Sequence, residues 1–250
     1  MTGKPDKRPK YRRIADTLRA AIDAGEYGPG DRLPGENPLA AEHGVSPLTA
    51  RQALKALQNE GLAESRWGAG FFVRAFRPIR RRGIQRLARA HWASGASIFS
   101  ADDDRPLTVD QVSVSEVPAP QPIAQVLGLE DGQTACARSR RFVLEGRPVL
   151  LSTSYLPYDL VAGSAIVQAD TGPGGIYARL AELGHAPAHF REEIRCRMPS
   201  AEEAQGLNLS STTPVIKVCR TAFSAEGRAV EVNEMTLDSM SYILEYDFDA

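Results

Sequence analysis

Apolar residues recur with a helical period at the start of the chain. Ile14, Leu18 and Ile22 fall at i, i+4 and i+8, with Ala15 and Ala21 beside them. This predicts a helix from about Tyr11 to Ala24, ended by Gly25. Tyr27-Gly28-Pro29-Gly30-Asp31 reads as a turn. A short second helix follows Pro38 through Leu39, Ala40 and Ala41 and stops at Gly44. Ser46 is placed to accept a hydrogen bond from a free backbone N–H of a third helix. Pro47 suits its first position, where the missing N–H costs nothing. That helix is predicted from Pro47 to about Glu60, with Ala50, Ala53, Leu54 and Leu57 on one face. At about 100° per residue, Leu48, Arg51, Gln52, Lys55 and Asn59 face the other way. Leu62 to Arg66 and Phe71 to Arg74 then read as two short strands around the tip Trp67-Gly68-Ala69-Gly70.

Three helices and a hairpin, with only Val45-Ser46 between the second and third helices, make a winged helix-turn-helix. The alternative is a small helical bundle with a solvated polar face. Such a face more often mixes acids with bases, whereas here it carries Arg51, Gln52 and Lys55, with Glu60 at the far end. Arg and Gln can read guanine and adenine edges in the major groove, so this module is expected to bind DNA.

Residues 75–83 contain proline and the run Arg80 to Arg82, which reads as a linker, either merely solvated or adding phosphate contacts. Beyond it the pattern changes to period 2. Thr108 to Val114 alternates as a strand, and Pro122 to Leu127 is a short helix closed by Gly128. Ala135 to Leu144 and Val149 to Leu156 form a hairpin, as do Val215 to Phe223 and Ala229 to Leu237. Ile176 to Leu183 is helical, His189 to Arg197 is strand-like, and Ser200 with Glu203 makes a capping box. Ser241 to Phe248 closes the chain as a strand. The expected fold class is α+β: a mostly antiparallel sheet with flanking helices behind a winged helix-turn-helix.

Charge sharpens this division. The net charge of −1 is the sum of two unlike parts. Residues 1–82 hold 16 Lys and Arg against 9 Asp and Glu, so +7; the remainder holds 14 against 22, so −8. A basic head suits nucleic acid. No apolar run approaches the roughly 20 residues that span a bilayer, and no apolar stretch follows the basic start, so neither an anchor nor a secretory signal is expected. Three scattered cysteines, Cys136, Cys196 and Cys219, suit neither a disulfide framework nor a zinc site. The expected compartment is the cytoplasm.

Residues 11–73 resemble the DNA-binding domain of the GntR family of bacterial transcription regulators. The match runs through Tyr11, Ile14-Ala15, Leu18-Arg19, Pro29-Gly30-Asp31-Arg32-Leu33-Pro34, Glu36, Leu39-Ala40, Gly44-Val45-Ser46, Thr49, Arg51, Ala53-Leu54, Glu60-Gly61-Leu62, Gly68, Gly70 and Phe72-Val73. Residues from about 84 resemble the UTRA effector domain of the HutC-type subfamily. The residues that carry this are Arg140-Arg141-Phe142, Glu145-Gly146-Arg147-Pro148-Val149, Ser154-Tyr155-Leu156-Pro157 and Gly227-Arg228-Ala229-Val230-Glu231-Val232-Asn233-Glu234.

The resemblance implies a chorismate-lyase-like second fold that senses a small molecule, and a homodimer on a palindromic operator. The expected layout is a DNA-binding domain over residues 1–74, the linker 75–83 and an effector and dimerisation domain over 84–250. The expected DNA-facing residues are Tyr11, Arg32, Ser46, Thr49, Arg51, Gln52, Lys55, Trp67 and Gly68. Those expected to face the effector are Arg138, Arg140, Ser152, Glu231 and Tyr242, with the terminal strand closing over the face that bears Arg140 and Ser152. Arg138 and Arg140, two apart on one strand, should share a face and could clamp a phosphate or carboxylate.

This chain departs from the family pattern. Gly35 stands where Ser is usual, and Asn37 and Pro47 stand where Arg is frequent. Trp67 replaces a basic residue or His. Phe142 stands where a second ligand-binding Arg is common, and Ser152 where Glu is. The last two changes point away from a sugar phosphate and towards a less charged ligand.

Other clusters carry less. His185 and His189 are separated by Pro187 and do not share a helix face. Asp102-Asp103-Asp104 reads as an acidic loop. Thr171-Gly172-Pro173-Gly174-Gly175 could offer N–H groups to an anion, though without a following Lys it reads more simply as the start of a helix. No catalytic set, metal site or cofactor motif stands out. The expected function is a DNA-binding regulator, a repressor released by a small-molecule effector. The alternatives are a repressor without an effector, or an enzyme fused to a DNA-binding head.

Overall fold

In the computed structural model, residues 8–66, 68–75, 77–209 and 213–248 are described. Trp67 and Phe76 lie outside them. The chain divides into two compact units, residues 1–77 and 78–250.

In the first unit, α1 (Lys10–Asp23), α2 (Glu36–His43) and α3 (Pro47–Asn59) precede an antiparallel hairpin of β1 (Ala63–Arg66) and β2 (Gly70–Val73). The expected periodicities produce the core: Ile14, Leu18, Leu39, Ala50, Ala53, Leu54 and Leu57 are buried together. The two-residue link works because Gly44 ends α2 in the left-handed region, at φ 58°. The Ser46 hydroxyl then accepts a hydrogen bond from the Thr49 N–H at 3.2 Å, with Pro47 at the first helical position. Arg32 bridges to Phe72, tying the segment before α2 to the hairpin.

The second unit opens with β3 (Ile79–Arg82), then α4 (Arg89–Ala93), β4 (Leu107–Val117), α5 (Gln121–Leu127), β5 (Ala135–Leu144), β6 (Arg147–Pro157) and α6 (Tyr158–Val161). It continues through α7 (Gly175–Glu182), β7 (Pro187–Arg197), α8 (Ala201–Gly206), β8 (Val215–Ser224), β9 (Ala229–Asp238) and β10 (Tyr242–Glu245). Six strands form one antiparallel sheet in the order β4-β5-β6-β9-β8-β7. Both expected hairpins are present within it. α5 packs Ile123 and Leu127 on one face, against Ala229 and Val232. The other face is covered by α4 and α7, where Trp92, Leu156, Ile166, Tyr177, Leu180 and Val230 form the larger core.

The structure corrects the reading of the arginine run as linker. Ile79–Arg82 is a strand of the second unit, paired in parallel with β10, which is shorter than the expected closing strand and stands apart from the main sheet. Alternation along β3 buries Ile79 and Arg81. Arg81 is 1% exposed and forks onto the Glu192 carboxylate, so it is not available to DNA phosphate. Arg80 and Arg82 both reach Glu245.

Candidate functional site

Two surfaces carry polar chemistry, one in each unit. In the first, the cap at Ser46 aims the start of α3 outward. Leu48, 66% exposed, projects from its first turn, and Arg51 follows with its Nε 3.5 Å from Glu36 at the surface. Gln52 and Lys55 are exposed and share with Tyr11 a groove between α1 and α3. Arg32 lies against Gly70 at the hairpin, and Gly68 at its tip takes φ 71°, a conformation that favours glycine. The surface is thus an exposed helix start with basic and amide side chains, flanked by a β-hairpin. This is a geometry that enters the major groove. The exposure of Leu48 beside Thr49 adds an apolar group suited to a thymine methyl. Trp67, also expected at the hairpin tip, lies outside the described residues.

The second site is a cavity of about 310 Å³ between the covered sheet face and α7, at the lower end of the size of small-molecule sites. Strand register builds it. Arg140, Ser152, Met235 and Val218 form one row across the sheet, and Ser154, Asn233 and Arg220 lie in the next. Opposed residues share a face, so β5, β6, β8 and β9 all point these side chains to the same side. Of the residues expected to face an effector, Arg140, Ser152 and Glu231 line the cavity, together with Arg86, Tyr177, Arg220 and Asn233. The Thr171–Gly175 segment lines it too and leads into α7, whose N-terminus has no side-chain cap.

Inside, Ser152 donates to the Asn233 amide oxygen at 2.8 Å, and the Tyr177 hydroxyl donates to Glu231 at 2.8 Å. Arg140 reaches the Ser154 hydroxyl at 3.3 Å. Arg220 stands 4.0 Å from Glu231 with its guanidinium over the Tyr177 ring. Burial pushes the Arg140 guanidinium down to about 10. It does the same to Arg86, with repulsion from Arg81 added. Burial also holds the Tyr177 phenol well above its ordinary value, so it stays a donor.

Two expected residues do not join the cavity. Arg138 shares the face of Arg140, but its guanidinium turns aside and donates to the backbone carbonyls of Ile166, Gln168 and Ala169. Tyr242 lines a separate, smaller cavity with Ile79, Phe99 and Asp102, because β10 pairs with β3 rather than closing over the sheet. Asp102, read as part of an acidic loop, is 6% exposed and pairs with Arg86. Arg86 and Arg220 were not among the candidates. They restore the cationic character that Phe142 removes.

Among the described residues, no group of three or more His, Cys, Asp and Glu is arranged to hold a metal ion. None of the described helices is long and apolar enough to cross a membrane.

Comparison with known proteins covers both units. Residues 10–73 match the profile of bacterial regulatory proteins of the gntR family, and residues 103–242 match the UTRA domain. An uncharacterised HTH-type transcriptional regulator of Streptomyces coelicolor, SCO4628, is 36% identical over 97% of this chain and 93% of its own. The mannosyl-D-glycerate transport/metabolism system repressor MngR of Escherichia coli is 27% identical over 94% of each chain. The fold is also that of PhnF from Mycobacterium smegmatis, with a TM-score of 0.57 and 24% identity over 95% of this chain and 99% of that one. A capped, outward-facing helix beside a wing, joined in one chain to a UTRA sheet with an internal polar cavity, places this protein in the GntR family of transcription regulators.

Proposed function

We propose that the protein is a cytoplasmic, homodimeric repressor that binds a palindromic operator and is released by a small molecule in the second unit. One observation carries the effector part: the cavity is built from buried polar side chains whose hydrogen-bonding capacity is not filled from within. Buried polar groups are ordinarily satisfied, so unfilled donors around a cavity mark a ligand site. The similarity to MngR, named as a repressor, supports the direction of regulation. The lining offers guanidinium, carboxylate, amide and phenol groups suited to holding a ligand rather than a paired nucleophile and base, which favours a sensor over an enzyme.

On this reading Ser46 and Thr49 fix the start of α3, Arg51 and Gln52 read base edges, and Lys55, Tyr11 and Arg32 meet the backbone with Gly68 in the wing. Two copies must present their α3 helices about 34–36 Å apart to meet successive major grooves. A ligand releases DNA by binding one dimer arrangement more tightly than another. The test is selection of bound sequences from random DNA, with the assembly sized by sedimentation. A two-fold symmetric site bound by a dimer is expected. An asymmetric site bound by a monomer would overturn the dimer reading.

A further inference from the structure

A further cavity lies wholly within the second unit and shares no lining residue with the sheet cavity. Its volume is about 760 Å³, inside the range of small-molecule sites. Three segments distant in sequence build it. The stretch that leaves β3 supplies Ile84 and Leu87, β7 supplies Phe190, Glu192 and Ile194, and Tyr246 follows β10. Ile84, Ile194 and Tyr246 are 46%, 39% and 41% exposed. Large apolar side chains gathered from three segments around one hollow form a patch, unlike single apolar residues scattered over a surface.

The polar groups of this lining are already paired or solvated. Glu192 accepts from Nη1 of the buried Arg81 at 2.8 Å and from the Tyr246 hydroxyl at 3.0 Å, and its other oxygen accepts from Nη2 of Arg81. Arg89 is exposed at the start of α4. The His189 ring lies 5.7 Å from that of Phe223. No lining residue is among those with a buried side-chain polar atom that lacks a partner, whereas Arg86, Arg140 and Arg220 of the sheet cavity are. An ionic ligand entering here would give up water without a partner to replace it, and an uncharged one would not. Tyr246 packs directly on Gly83, which leaves no room for a Cβ there. With Phe190 it offers rings that an aromatic molecule can stack on or meet edge-on.

β7 is an outer strand of the sheet, and an unpaired edge is able to recruit another strand. Here Arg191, Glu193 and Arg195 alternate with the cavity residues and are exposed, a charged pattern that discourages edge pairing. The hollow therefore suits a small molecule better than a polypeptide.

We propose that this cavity binds an uncharged aromatic molecule, at a site separate from the sheet cavity and independent of how that cavity is read. Tyr246 and Phe190 contact its ring, and Ile84, Leu87 and Ile194 contact its edges, so that their apolar surface leaves water on binding. The pair of Glu192 and Arg81 stays closed and leaves no charge for the ligand to match.

The test uses the full-length protein with naphthol, an aromatic probe that is uncharged at neutral pH, and naphthoate as its charged counterpart. Equilibrium dialysis measures binding, and hydrogen exchange locates it. Naphthol should bind saturably and protect β7 and residues 84–89 while leaving β5 and β6 unchanged. Naphthoate should bind about tenfold more weakly or worse, because its charge finds no partner. Ile194→Asp and Ile84→Asp put a charge at exposed positions on two separate elements. Each should weaken naphthol about tenfold or more, the loss of roughly one apolar side-chain contact, with the unfolding midpoint nearly unchanged. Because the two lie on different elements, misfolding of one leaves the other to decide. Undiminished binding in the folded variants, equal binding of naphthoate, or protection of β5 and β6 in place of β7 overturns the proposal. So does a complete absence of naphthol binding, the result expected if another protein surface covers the hollow.

Discussion

Arginine is used in opposite ways in the two units. In the first, Arg19 lies at the surface, bridging Asp16 and Glu60, and Arg51 is more than half exposed beside Glu36. These side chains sit at the surface in contact with solvent. In the second, Arg81, Arg86, Arg138 and Arg220 are each at most 2% exposed, held by Glu192, Asp102, three carbonyls and, at a looser distance, Glu231. One unit is basic for a partner that arrives from outside. The other is acidic overall yet keeps these four arginines inside, two of them, Arg86 and Arg220, lining the cavity. Net charge by itself therefore says little about where the recognising charges lie.

The largest expected effect separates buried from exposed pairs. Asp102→Asn leaves Arg86 without its carboxylate and should destabilise by about 3–5 kcal/mol. Arg19→Ala, at a surface network, should cost about 0–1 kcal/mol. Urea denaturation of both variants checks the contrast; equal losses would break it.

Within the DNA-facing surface, Arg51→Ala should weaken operator binding by about 1–3 kcal/mol and relax specificity at one base pair per half-site. Lys55→Ala should weaken all sequences alike and shallow the salt slope by about one unit. Leu48→Ala should cost less than Arg51→Ala, about 1 kcal/mol, and only where a thymine stands opposite. Affinity measured over operator variants and salt concentrations distinguishes the three.

A smaller effect concerns acid stability. Glu203 accepts from Arg197, from the Ser200 N–H and from Lys217, and the Arg197 guanidinium, more than any other cause, holds its carboxyl well below the usual range. A carboxylate with a depressed folded value stabilises above its unfolded value, near 4.3, and loses that contribution as the pH falls towards its folded value. Glu203→Gln should flatten the fall in stability below about pH 4, followed by thermal unfolding across pH. An unchanged slope would remove Glu203 from the account.

The first unit was legible because its signals are local. Ser46-Pro47 specifies a helix start within two residues, and the apolar spacing of α1 and α3 states which faces meet. The strands of the second unit were legible for the same reason. The arginine run was misread because arginine ordinarily marks surface, and the partner that buries Arg81, Glu192, is 111 residues away. Period 2 placed Arg138 and Arg140 on one face correctly, but a long flexible side chain can end several ångströms from where its Cβ points. Arg220 did leave a trace. It sits between Val218 and Ala222, both buried on the same face of β8, and a charged residue at an inward position of a strand is a site signal. Arg86 left none, since its role depends on packing against Asp102.

The central claim is that one unit reads DNA and the cavity of the other governs its release. The most direct measurement is titration of a selected operator with wild type and Arg140→Ala, each with and without the low-molecular-weight fraction of a cell extract. The account predicts equal affinity for operator without the extract, and release of wild type alone when it is added. Full release of both proteins would place the effector outside this cavity, and loss of operator binding by Arg140→Ala without extract would make Arg140 a structural residue rather than a sensing one.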